Sequence, residues 1–164
     1  MNPARGGWFV LVTLLAALVL SAARAPLDWP EWLDWLRPGW MIMVMLFWVK
    51  ELPHRIGLIS AWILGFLVDI ILAEPLGLNG LILATVTYIA WSFHERLRMY
   101  SVVQQAAVVM VLMWAGDLLR LAVHNIAAVA AFSWVLFVPG LVSAALWPLL
   151  AEVLTRARVR IRVE

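Results

Sequence analysis

The chain has 164 residues, 65% of them hydrophobic and only 13% charged, about half the ~25% charged share of an ordinary soluble domain. With a mean hydropathy of +0.96, water cannot be its only solvent. The absence of cysteine excludes a disulfide framework, a thiolate nucleophile and a thiolate metal site. A pI near 9.7 points toward nucleic acid, but a net charge of +2 is too small for that class. Eleven Trp against two Tyr suit a chain with two membrane interfaces, where indoles settle at headgroup level.

A hydrocarbon core of ~30 Å requires runs of about 20 apolar residues. The first run is 8–23, behind Arg5. It reads as a retained span, with a signal peptide cleaved near Ser21-Ala22-Ala23 as the alternative. The segment PLDWPEWLDWL (26–36) sets Trp29, Trp32, Leu33 and Leu36 on one helical face and Asp28, Glu31 and Asp34 on the other. It reads as a short interfacial helix, either anchoring the second span or offering an acidic surface to an extracytoplasmic partner. The second span is 37–52, with Lys50 expected to snorkel at one end. The third is 56–73 and the fourth 76–93. The tract from 101 to 154 supplies the fifth (102–122) and sixth (130–152), the latter with kinks expected at Pro139 and Pro148. The link between them is either a simple turn or an amphipathic helix near 127–132. The expected fold class is therefore all-α, a polytopic integral membrane bundle of six transmembrane helices forming one domain over 1–164, with a basic tail at 155–164.

Orientation follows from Lys and Arg at the span ends. With the N-terminus inside, Arg5, Lys50, Arg55, Arg96, Arg98, Arg156, Arg158, Arg160 and Arg162 are cytoplasmic, against Arg24, Arg37 and Arg120 outside. Both termini are thus expected in the cytoplasm.

Within the third span, Gly57, Ala61, Gly65 and Asp69 recur at four-residue intervals. Small residues at this spacing let another helix approach closely in lipid; Gly140 and Ala144 form a second such pair. A carboxylate within a span is costly and faces protein or a wet cavity. Asp69 and Asp117 are each expected about one turn below the outer end of their spans. Three readings stand for them. They are satisfied internally, Asp117 by Arg120 at i+3 and Asp69 by the turn containing Asn79 or by amides freed around Pro75. Alternatively they contact another membrane protein, or they form a substrate or proton site. The turn AEPLGLNGL suits a tight hairpin, with Pro75 in the first turn of a helix and Gly77 and Gly80 permitting close backbone approach. It lacks the lysine of a phosphate-cradling loop.

No catalytic residues and no metal site are assigned. His54, His94 and His124 are scattered, and no serine stands in a nucleophile-elbow motif. In the tail TRARVRIRVE, an extended arm would align Arg156, Arg158, Arg160 and Arg162 on one side. Such an arm faces anionic inner-leaflet lipids or a cytoplasmic protein; four arginines without interleaved aromatics do not make a nucleic-acid surface.

Taken in order, RPGW (37–40), LPHR (52–55), GFLVD (65–69), PLGLNGL (75–81), QQA (104–106), Asp117 and LWP (146–148) resemble the rod shape-determining protein MreD family over nearly the whole chain. The resemblance implies a non-catalytic, cofactor-free component of the bacterial inner membrane that scaffolds the cell-wall elongation complex and helps maintain rod shape during peptidoglycan synthesis. It implies MreC, a single-span protein, as direct partner. MreB, a RodA-type polymerase and a class B penicillin-binding transpeptidase are implied indirectly, and nucleic acid is not. It also implies a six-helix fold like the S components of energy-coupling-factor transporters, so a small-molecule-binding transporter component is the alternative. The polar positions matching the family pattern are Asp69, Pro75, Gly77, Asn79, Gly80 and Asp117. They carry the expectation of partner contact or bundle integrity.

Overall fold

The structure, a computed structural model, describes residues 7–23, 35–54, 56–126 and 134–161. Most of the segment expected as an interfacial helix (26–36), all of 127–132, and Arg5, Arg24, Arg55 and Arg162 lie outside the described residues. The described residues form α-helices α1 (Gly7–Ala22), α2 (Trp40–Glu51), α3 (Leu58–Leu72), α4 (Leu78–Ser92), α5 (His94–Met99), α6 (Val102–Ile126) and α7 (Val138–Ile161), with a 3-10 turn at Trp134–Phe137 leading into α7.

Glycines and prolines set the helix ends. Gly39 is the N-cap of α2, and Leu52, kept out of the helical region by the proline that follows it, ends it with φ −135°. Gly57 precedes α3, and Ala73 closes it in the left-handed conformation with φ 54°. Ser101 and Gln104 start α6 as a capping box. The Gln104 side chain accepts from the Ser101 amide at 2.9 Å and the Ser101 hydroxyl accepts from the Gln104 amide at 3.4 Å.

These stops shorten the helices relative to the six full spans expected. Two segments, Val102–His124 and Trp134–Ile161, are long and apolar enough to cross a membrane, while α1, α3 and α4 are apolar but shorter. With 15 residues, α3 and α4 reach about 22 Å at 1.5 Å per residue. The sequence runs looked longer because apolar residues continue past the point where the backbone turns. Conversely, α7 runs on through Pro148 to Ile161. The arginine segment is therefore helix and not an extended arm. No Gly or Pro follows Pro148 to stop it, and Glu152 supports Arg156 one turn on at 2.7 Å. Helical geometry separates the arginines: Arg156 and Arg160 are exposed, whereas Arg158 is half-buried.

The central helix is α2. Residues 43 to 50 are all buried, the pattern of a helix apolar on every side, and α2 packs against α1, α4, α5, α6 and α7. Its Trp48 indole donates to Thr13 Oγ1 of α1 at 2.8 Å. At its start, the Gly39 amide donates to Ser143 Oγ of α7 at 3.0 Å, and that hydroxyl donates to the Pro139 carbonyl at 2.7 Å. Lys50 does not snorkel. It is 9% exposed and points into the bundle, where a buried acceptor awaits it.

The most extensive pairing is α3 with α4, and here the small-residue stripe finds its partner. A Cβ on Gly65 would stand 2.4 Å from the Gly80 backbone, and Ala61 is fully buried. Gly57 lies outside this contact, with nothing near a Cβ placed there. At Gly65 the stripe is therefore closed by the chain's own next helix, and Ala61 is buried as well, whereas Gly57 stands open. The second stripe is closed likewise, since the Trp114 indole covers Gly140 at 2.5 Å from a Cβ built there. We expect Gly65→Leu to lower stability by about 3 kcal/mol, because backbone cannot retreat, and Gly57→Ala to change it by less than ~0.5 kcal/mol. Thermal unfolding in mild detergent measures both, and equal midpoints would contradict the close approach.

Candidate functional site

The end of α3 and the start of α4 are joined through Asp69. Its side chain is fully buried in the last turn of α3. Oδ2 accepts from the Gly77 amide at 2.7 Å, and Oδ1 accepts from the Asn79 amide at 2.9 Å and from Asn79 Nδ2 at 2.8 Å. Gly77, the N-cap of α4, has φ 93° and no side chain to cap with. The carboxylate from the preceding helix takes over that role, at the end of α4 where the helix dipole favours negative charge. The same residue's carbonyl accepts from the Glu74 amide at 3.0 Å, so Asp69 holds both limbs of the turn. Pro75 heads it, its carbonyl accepting from the Leu78 amide at 3.1 Å.

Asn79 extends this arrangement to a third helix. Its Nδ2 also donates to Glu74 Oε2 at 2.8 Å, and its Oδ1 accepts from Arg120 Nη2 of α6 at 2.6 Å. Arg120 in turn lies 3.6 Å from Glu74 Oε2 and 3.8 Å from Asp117 Oδ1. Asp69, Asn79, Gly77 and Asp117 are thus brought into one polar cluster, while Gly80 faces Gly65. Sequence reasoning passed over Glu74 and Arg120 as site residues. The signal available was Arg120 itself, the only basic residue within the fifth apolar tract. These contacts enclose the Asp69 carboxylate completely.

Beside the cluster lies a cavity of about 250 Å³. Ser21, Arg37, Gly39, Asn79, Asp117 and Arg120 supply its polar lining, and apolar side chains of α1, α2, α3, α4 and α6 the rest. Arg37 Nη2 donates to the Ser21 carbonyl at 3.1 Å and to the Ala23 carbonyl, closing the end of α1. Two groups of this region, Asp117 Oδ2 and Arg120 Nε, are buried without a hydrogen-bond partner among the described residues.

A second polar cluster holds the opposite end. Lys50 Nζ donates to Gln105 Oε1 at 3.3 Å, pairs with Glu51 at 3.1 Å and stands 5.4 Å over the Phe47 ring. Gln105 Oε1 also accepts from the Trp147 indole at 3.4 Å, while its Nε2 donates to the Leu97 and Tyr100 carbonyls at 3.2 and 3.0 Å. Glu51 pairs with Arg158 of α7. Lys50, Glu51, Gln105 and Arg158 therefore bind α2, α5, α6 and α7 together. Among the described residues, no three His, Asp or Glu side chains converge as a metal site needs.

Removing the central acceptors has predictable costs. Asp69→Leu strands two backbone amides and the Asn79 side chain, a loss of about 3 kcal/mol. Asp69→Asn loses less, because an amide oxygen still accepts. Gln105→Leu costs about 2 kcal/mol by leaving the Trp147 indole without its acceptor and Lys50 with Glu51 alone. Unfolding midpoints of the purified variants test these orderings; an Asp69→Leu protein as stable as the parent would contradict the role given to the carboxylate.

No solved structure matches the chain, so the expected likeness to transporter S components has no support there. A relative in Haemophilus influenzae described as rod shape-determining protein MreD is 28% identical over 156 residues, covering 95% of this chain and 94% of that protein. The profile of the family described as rod shape-determining protein MreD matches residues 4–157. With that match along almost its whole length, the chain belongs to the MreD family of non-catalytic, shape-determining membrane proteins.

Proposed function

We propose that the chain is a membrane scaffold of the bacterial cell-wall elongation complex, binding MreC directly and, through it, connecting to MreB, a RodA-type polymerase and a class B penicillin-binding transpeptidase. Family membership supports this reading. The observation that carries it is the use made of the polar residues. Asp69, Asn79, Lys50 and Gln105 are buried and engaged in holding helices to one another, which gives a rigid body and presents no reactive group. The protein sits in the inner membrane with both termini in the cytoplasm, supported by the charge count of nine basic residues inside against three outside. In that orientation the Asp69 cluster lies at the outer face, and exposed Arg156 and Arg160 meet inner-leaflet lipid headgroups.

Since Ala61, Gly65 and Gly140 are covered internally, a partner helix needs another surface. The best candidate is the apolar groove of about 280 Å³ between α1 and α7, floored by α2 and lined by Ala16, Ala17, Trp40, Val44, Leu149 and Leu150. Small residues on α1 allow close approach, and the one hydroxyl present, Thr13, is already engaged. A single membrane-spanning helix with an apolar, small-residue face is the occupant that suits it.

Tagged protein purified in mild detergent is expected to recover MreC stoichiometrically. Leu149→Trp, at a 64% exposed position, is expected to reduce that recovery several-fold without changing the unfolding midpoint. Failure to recover MreC from intact membranes would overturn the scaffold reading, and full recovery with Leu149→Trp would move the partner off this groove. A retained small molecule without any partner would favour the transporter-component reading.

A further inference from the structure

Where α4, α5 and α6 meet, the packing leaves an apolar cleft of about 210 Å³. Ala90 and Phe93 line it from the end of α4, Leu97 and Tyr100 from α5 and its C-cap, and Val108 and Leu112 from α6. Val108 and Leu112 stand about one turn apart, so the cleft runs along α6 away from its rim. Ala90 and Leu112 at the deep end are buried, whereas Phe93 and Tyr100 at the rim are exposed. The one polar side-chain atom in the lining is the Tyr100 hydroxyl.

The rim lies at headgroup depth. Trp91, Phe93 and Tyr100 are exposed together there, as aromatic rings gather at a membrane–water interface. Helix α5 crosses the rim, fastened by buried Leu97 and packed on α2 and α4. It carries two exposed arginines, Arg96 and Arg98, and neither guanidinium pairs with a described carboxylate. At about 100° per residue, they flank Leu97 on either side while Glu95 falls opposite. Positive charge at phosphate level above a hydrocarbon-lined cleft is the order of groups that an anionic phospholipid matches, read from phosphate to tail. Basic pockets at span ends recognise anionic headgroups by this pairing. A protein side chain in the cleft would leave Arg96 and Arg98 without counter-charge, and a soluble anion would leave the cleft empty. We propose that this cleft binds an anionic phospholipid, with one acyl chain between α4 and α6 and the phosphate at Arg96 and Arg98. In the orientation proposed above, the lipid belongs to the inner leaflet. The cleft shares no residue with the groove assigned to MreC, so either assignment can fail without the other.

The test is ligand-induced stabilisation of the intact, delipidated protein in neutral detergent. The probes are dioctanoyl phosphatidylglycerol, dioctanoyl phosphatidylcholine as the chains without net charge, and glycerol phosphate as the charge without chains. A saturable rise in unfolding midpoint is expected with phosphatidylglycerol, at an apparent affinity about tenfold or more above that of phosphatidylcholine, and none with glycerol phosphate. Arg96→Gln combined with Arg98→Gln, both at exposed positions, should remove that preference, whereas Arg156→Gln combined with Arg160→Gln should keep it. Val108→Phe, which fills the cleft, should abolish the response, and Phe93→Ala, which strips the exposed rim, should weaken it several-fold. The absence of any saturable rise would overturn the proposal and leave the cleft to a protein side chain. An equal rise with phosphatidylcholine or with glycerol phosphate, or a preference that survives loss of Arg96 and Arg98, would overturn it as well. So would an undiminished response in folded Phe93→Ala or Val108→Phe protein.

Discussion

A single buried carboxylate organises one end of this bundle. In the hydrocarbon region a charge without partners is excluded by its desolvation cost. Asp69 avoids that cost because the chain turns back within a few residues and aims three N–H groups at it. The dependence runs both ways. The amides need an acceptor because α4 begins at a glycine, and the carboxylate needs donors because α3 carries it inside. Once the turn is set, Gly80 lies against Gly65 and Asn79 is oriented with its oxygen toward α6. Arg120 then fastens α6 to the hairpin.

The opposite end solves the same problem with different groups. There Gln105 is the shared member, accepting from a buried ammonium and an indole and donating to two carbonyls. Between the two ends lies α2, enclosed on all sides. Lipid tails are as apolar as leucine, so apolar contact alone does not hold helices together in a membrane. Close backbone approach and internal hydrogen bonding do so, and both are concentrated where helices start and stop. A protein built in this way keeps a fixed shape and offers its neighbours mostly apolar surface, which suits a member of a multi-protein assembly better than it suits a catalyst.

The fold treats the two aspartates of the spans differently. They are nearly equivalent as residues in apolar runs, yet one is saturated with hydrogen bonds and the other has none. Stability explains the first. The second stands at the wall of a cavity, 3.8 Å from Arg120, whose Nε is likewise without a hydrogen-bond partner among the described residues.

Several of these features were legible in the sequence. Composition alone determined that the chain belongs in a membrane, because too few charged residues are present to solvate its surface. The Pro75–Gly77 turn marked a helix boundary through backbone geometry, and the i, i+3 spacing brought Asp117 to Arg120, whereas Gly39 and Gly57, read as lying within spans, are helix N-caps in the structure. Period and spacing carry that local information because they act within one or two turns. The tertiary structure decided the rest. The Asn79–Arg120 bond joins residues 41 apart and the Lys50–Gln105 bond residues 55 apart, and no pattern within a helix specifies which distant acceptor a buried donor will meet. Lys50 therefore looked like a snorkelling residue, and the Gly65 stripe looked like a docking face. Only the packing of α3 on α4, and of α2 inside the bundle, determined that both were already occupied.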